Sequence, residues 1–197
     1  MVSMKKIYVF ILLLAVLSTK ASAQSLSEAL NKNDTLTALK LINSGYSIDS
    51  VDKFGSSALM SACRYTADTA EALFLLNHGA KADYPKSAKG RTALLIACAY
   101  YGGVPLCRTL LSHGADINAV TFTGESALML AASNAKADVV EYLIKAGANT
   151  KLKTSSGRTA LDYANQASID DTIKQMMKCC SVDKEKTIAL ISQAMNN

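Results

Sequence analysis

The sequence predicts an all-α chain, a solenoid of stacked helix-turn-helix pairs with projecting β-hairpin loops. Two observations carry that expectation. The pattern Gly-x-Ser/Thr-Ala-Leu occurs four times, as GSSAL at Gly55, GRTAL at Gly90, GESAL at Gly124 and GRTAL at Gly157, in steps of 35, 34 and 33 residues. A second series, Gly45, Gly79, Gly114 and Gly147, runs beside it in steps of 34, 35 and 33. Two phased series with one period mark a repeated supersecondary unit. The chain therefore divides into a signal segment, 1–23, and a single repeat domain, 24–197. Within that domain we expect a capping helix pair over 24–50, repeats over 51–84, 85–119, 120–152 and 153–180, and a capping helix over 181–197.

The first segment has the three parts of a secretory signal. Lys5 and Lys6 precede an eleven-residue apolar run, Ile7 to Leu17, and Ala21-Ser22-Ala23 offers small residues for cleavage. A membrane-spanning helix would need about 20 apolar residues. No cysteine precedes Cys63, so a lipid-anchored start is not expected. The mature chain would begin at Gln24 and hold 174 of the 197 residues. The expected location is exported, the periplasm of a bacterium, with eukaryotic secretion as the alternative. Loss of Lys5, Lys6 and Lys20 leaves 18 basic against 16 acidic residues, a net charge of +2 in place of +5. Nucleic-acid binding needs a basic stripe, and none survives. Two prolines and no Ser/Gly-rich linker fit one continuous body.

The third repeat shows the unit most clearly. Ser126 can cap the free N–H groups of a first turn, and Ala127, Leu128, Leu130, Ala131 and Ala132 follow as a short helix with a small-residue side. After Asn134-Ala135-Lys136, Val139, Val140, Leu143 and Ile144 repeat at helical spacing. Gly147 ends that helix where a left-handed residue is cheap. Ala148 to Ser156 is polar and turn-like. The second unit runs from Thr92 through Leu110 and Leu111 to Gly114, the first from Ser57 through Leu75 and Leu76 to Gly79. Each carries one more residue than the third, placed in the turn between helices. At the start, Ser25-Leu26-Ser27-Glu28 reads as a capping box. At the end, Thr159 to Ala164 opens a fourth unit, Ile169 to Lys178 supplies its less apolar second helix, and Asp183 to Met195 closes the stack. One pair cannot cover its own apolar face, so the copies must pile up.

These residues resemble the ankyrin-repeat family: GRTALLIAC with LLSHGADIN, GESALMLAA with VVEYLIKAGAN, GSSALMSAC with LFLLNHGAKAD, and a closing GRTALDYA. The resemblance covers nearly all of the chain after the signal. It implies a right-handed stack whose hairpins form a concave surface, and a function in binding other proteins without chemistry. The family's Thr-Pro-Leu-His becomes hydroxyl-Ala-Leu followed by Met60, Leu95, Met129 or Asp162. Histidine-borne ties between repeats have no counterpart there.

The chemistry-bearing residues read as structural. His78 and His113 both precede a helix-ending glycine, where the helix dipole favours a donor or cation. Asp116, Asn118 and Asn149 follow a Gly-Ala step, where short polar side chains tie turns. Asp170 and Asp171 suit a helix start, and Gly102-Gly103 a turn. No paired acids, metal-ligand spacing or phosphate loop is present, so we expect no enzyme, no metal and no cofactor. Among five cysteines, Cys63 and Cys98 are repeat-equivalent and too far apart for a bond across 8–10 Å helix spacing. Cys107 lies on the second helix of the unit that holds Cys98, so the pair Cys98–Cys107 is either a disulfide or two buried thiols. Cys179 and Cys180 are neighbours, suited to pairing with another chain or to remaining reduced.

Exposed, variable positions fall on the hairpins and at the ends of the first helices. We therefore assign protein binding to Lys53, Phe54, Arg64, Tyr65, Lys89, Arg91, Tyr100, Phe122, Glu125, Asn134, Lys153 and Arg158. Phe54 and Phe122 should line one concave groove, since aromatics with arginine are what interface hot spots use. The expected function is an exported scaffold, a monomer, that binds one partner protein without entering a membrane. The alternative is a thiol-based redox protein acting through the paired cysteines.

Overall fold

The computed structural model describes residues 26, 35–52, 54–65, 69–84, 87–167 and 183–196. The signal segment, Ser25, Lys53, Asp170, Asp171, Cys179 and Cys180 lie outside that set, as does the expected helix over 169–178. The described helices are α1 (Thr35–Asn43), α2 (Ala58–Tyr65), α3 (Ala70–Asn77), α4 (Ala93–Ala99) and α5 (Val104–Ser112), followed by α6 (Ala127–Ser133), α7 (Ala137–Lys145), α8 (Ala160–Gln166) and α9 (Lys184–Asn196).

The first helices start where a hydroxyl can cap them. Ser57, Thr92, Ser126 and Thr159 accept from the N–H of Met60, Leu95, Met129 and Asp162 at 3.3–3.5 Å. Asp162 returns the bond to Thr159 N–H at 2.7 Å, completing a capping box. Both glycine series have their reason in the backbone. The helix-ending set has φ between 86° and 93° and the hairpin set between 73° and 83°, where an L side chain is strained.

Helices α2, α4, α6 and α8 pack one on the next through their small-residue faces. Ala93, Ala97, Ala127, Ala131 and Ala132 are almost wholly buried, as are Leu94, Leu95 and Ile96. Met60, Leu95 and Met129 fill the family's histidine position inside this core. The second helices form the other layer, α5 on α7 and α9 on α7. Helix α9 also packs against α8. Asp183 N–H donates to Ala135 O at 2.7 Å and Lys186 pairs with Glu141 at 3.2 Å, which fastens α9 to the third unit.

The projecting loops are tight turns held by single antiparallel bridges, Val51 with Ser57 and Val120 with Ser126. In each of the four, the same bond closes the turn: Asp52 N to Ser56 O, Ser87 N to Arg91 O, Thr121 N to Glu125 O, Thr154 N to Arg158 O, at 2.9–3.0 Å. Neighbouring loops are joined by Ala88 N to Phe54 O, Phe122 N to Lys89 O and Ser155 N to Thr123 O. On the far side, Asp49 accepts from Lys81 N–H, Asp83 from Asp116 N–H and Asn118 from Asn149 N–H, at 2.7–3.0 Å. These bonds join successive units.

The turn between helices has four residues in the second unit (100–103) and three in the third (134–136). The extra residue matters because the chain must pass α4 closely. A Cβ on Gly102 would lie 2.5 Å from Ala97 O, whereas one on Gly114 would meet nothing within 4 Å. Gly102→Ala should cost about 2–3 kcal/mol through forced backbone movement. Gly114→Ala should cost only ~1 kcal/mol, from its left-handed backbone. Urea denaturation of both variants checks the order.

Candidate functional site

Between the first two units the loops and the ends of α2 and α4 enclose a cavity of about 430 Å³. Phe54 and Asp52 enter it from the first loop, Arg64 and Tyr65 from the end of α2, Lys89 and Arg91 from the second loop, and Tyr100 from the end of α4. Phe54 and Tyr65 are 64% and 66% exposed, too open for folding alone to require aromatic rings there. Tyr100 is the organising residue. Arg64 lies over its ring at 4.9 Å, and Arg91 Nη1 donates to its hydroxyl at 3.4 Å. Asp52 is turned into its own loop, where Oδ1 accepts from Phe54 N–H and Ser56 N–H at 2.8 and 2.9 Å.

What holds Tyr100 is a buried lysine from the next unit. Lys136 is wholly buried, and its ammonium donates to the carbonyls of Ala97 and Gly102, at 3.3 and 3.2 Å, and of Tyr100. Those carbonyls belong to the end of α4 and the residues just after it, where acceptors lack helical partners and the dipole favours a cation. Burying the charge is costly unless such bonds are made. Ala135 prepares the reach with φ of 50°, the one non-glycine residue at positive φ among those described. Sequence reasoning passed over Lys136 as part of a turn. The signal was its place at the N-cap of α7, where a cation opposes the dipole and Gly103 stands in the second unit.

The family described as Ankyrin repeats (3 copies) matches residues 26–121, and Ankyrin repeats (many copies) matches 110–164. This is an ankyrin-repeat protein. Among curated proteins none matches the chain. Ankyrin repeats generally mediate protein–protein interaction and are typically non-catalytic.

Within the ankyrin stack, six of the twelve residues assigned to binding converge on the cavity: Phe54, Arg64, Tyr65, Lys89, Arg91 and Tyr100. Phe122 does not join Phe54 there. It is 75% exposed on the third loop, and its ring leans on Gly90, filling the space a Cβ would take. Three others are engaged inside the stack. Glu125 Oε1 accepts from Tyr163 Oη at 3.1 Å and Oε2 from Thr123 Oγ1 at 3.2 Å. Asn134 Nδ2 donates to Ala99 O at 3.2 Å and to Leu130 O at 2.9 Å. Arg158 lies over the Tyr163 ring at 4.2 Å and donates to Gln166. Each long polar side chain found a partner in the neighbouring helix, which repeat position alone does not reveal. Lys153 is exposed on the fourth loop, and Lys53 lies outside the described residues.

Cys98 and Cys107 face each other as expected, but as free thiols with sulfurs 3.9 Å apart, in hydrogen-bond contact and not joined. The hydrogen bond to Cys98, then burial, holds the Cys107 thiol well above its usual value, and the nearby Lys136 ammonium only partly opposes this. Burial likewise pushes the Cys63 thiol up. Reactive cysteines need the opposite, a lowered pKa with access. His78 and His113 bond the carbonyls of Phe74 and Thr109 at 2.7 and 2.8 Å, each in its own helix end. Among the described residues no cluster of three His, Cys, Asp or Glu could hold a metal, and no helix is long and apolar enough to cross a membrane.

Lys136→Met should strip three carbonyls, two of them in buried bonds, of their donor and cost about 3 kcal/mol, read as a lowered urea midpoint. The thiols add a pH dependence. Below the usual thiol pKa of 9.0 both folded and unfolded chains keep the protons. Above it only the unfolded chain ionises, so stability should fall as pH rises. Cys63→Ala, which copies the repeat-equivalent Ala132, should flatten that fall in urea titrations above pH 9.0.

Proposed function

We propose that this protein is an exported ankyrin-repeat scaffold that captures one partner protein in the groove between its first and second units. The observation that carries the reading is the meeting of Phe54, Tyr65, Arg64, Lys89, Arg91 and Tyr100 around one cavity. Exposed aromatics beside arginine form the chemistry of interface hot spots. The groove is also braced from behind: the bonds of Lys136 hold the end of α4, so Tyr100 is placed before any partner arrives. A preorganised surface spends less free energy on ordering. Export to the periplasm or the cell exterior is supported by Lys5, Lys6, the run Ile7 to Leu17 and Ala21-Ser22-Ala23, the pattern of a secretory signal. There it acts as a monomer that protects, inhibits or positions an exported protein.

A thiol-based redox role for Cys98 and Cys107 is the weaker reading, because both are buried and the Cys107 proton is held tightly.

The test uses the purified mature chain as bait against an envelope extract, beside the double variant Phe54→Ser/Tyr65→Ser. Losing two hot-spot aromatics should weaken capture by at least ~30-fold, about 2 kcal/mol, with an unchanged urea midpoint. Equal capture by both proteins would remove this groove as the binding face. N-terminal sequencing of the exported form should begin at Gln24.

A further inference from the structure

The electrostatics of the groove say what kind of segment it takes. Arg64, Lys89 and Arg91 line it, and among the described residues none of the three is paired with a carboxylate. Elsewhere in the chain lysines find acids, as Lys145 and Lys186 do on Glu141. Asp52, the acid in the lining, already accepts two backbone N–H bonds in its own turn. Arg91 Nε has no acceptor, and Arg91 Nη1 reaches only the Tyr100 hydroxyl, at 3.4 Å. The two guanidinium groups are held on either side of one feature, Arg64 over the Tyr100 ring and Arg91 at its hydroxyl. A guanidinium offers its donors as a planar fork that matches a carboxylate.

From this we infer that the groove recognises an acidic peptide segment of the partner, its carboxylates bound by Arg64, Lys89 and Arg91 and an adjacent aromatic side chain laid between Phe54 and Tyr65. The inference rests on the groove being the binding face. Three cations in a cavity of about 430 Å³ suit one or two carboxylates. They do not form the basic stripe that tracks a nucleic-acid backbone. The aromatic rings beside them give the neighbouring apolar residue its own surface, so charge alone does not decide affinity. Because Lys89 and Arg64 remain solvated in part, the attraction is screened by salt.

Fluorescence anisotropy of the intact mature protein tests this with a labelled peptide alternating Glu, Phe and Gly. Its controls are the same peptide with Gln for Glu and a single-stranded oligothymidylate. The acidic peptide should bind, the Gln peptide at least ~10-fold more weakly. Raising salt from about 50 mM to about 300 mM should weaken the acidic complex severalfold. Arg64→Gln and Lys89→Gln should each reduce acidic-peptide affinity while leaving the Gln peptide and the urea midpoint unchanged. Equal or absent binding of the two peptides, tighter binding of the oligonucleotide, or indifference to both substitutions would overturn the inference. If partner capture still fails on loss of Phe54 and Tyr65 in that case, the groove reading stands and only the acidic chemistry falls.

Discussion

A pair of helices seven to nine residues long buries too little of itself to stand alone, and every other feature of this chain answers to that constraint. The apolar side of each pair is covered only by the next pair. Close approach is possible because the first helices present Ala93, Ala97, Ala127, Ala131 and Ala132 to one another. Once the pairs are stacked, their loops fall into a row and their helix ends form a second row. The space between two such loops and two such ends is the groove. Its position is a consequence of stacking, and its chemistry is free to vary because its side chains carry little of the core.

Stacking through alanine and leucine gives cohesion without register, since apolar contact is non-directional. Register comes from polar bonds that repeat with the unit. The Asp49–Lys81, Asp83–Asp116 and Asn118–Asn149 bonds mark one edge and the loop-to-loop backbone bonds the other. Lys136 adds a tie that does not repeat. It joins the third unit to the second at the helix end that carries Tyr100, so a buried cation also steadies the groove. Stability and recognition meet in that one side chain.

The fold was legible in the residues to an unusual extent. The left-handed glycine read at Gly147 and the cap read at Ser126 are both present, and the structure extends them to eight positive-φ glycines and four hydroxyl caps at the same phases. Half of the binding residues assigned by repeat position came together around the cavity. Three of the others are engaged inside the stack. Glu125, Asn134 and Arg158 are long or forked polar side chains, and each lies within reach of a donor, acceptor or ring on a nearby helix. Phe122 stands apart from Phe54, settling onto a glycine of the preceding loop. Period tells which residues share a face. It does not tell which of them find partners within the stack.

The sequence by itself determined the unit, its period, its caps and its apolar faces, because these depend on contacts within about 35 residues and on backbone preferences that each residue carries alone. Tertiary structure decided the rest. That Lys136 turns inward, that α9 packs against α8, that Cys98 and Cys107 meet as thiols, and that three cations share a groove whose acid, Asp52, is turned into its own loop all depend on distances between units. Those distances exist only once the apolar faces have closed.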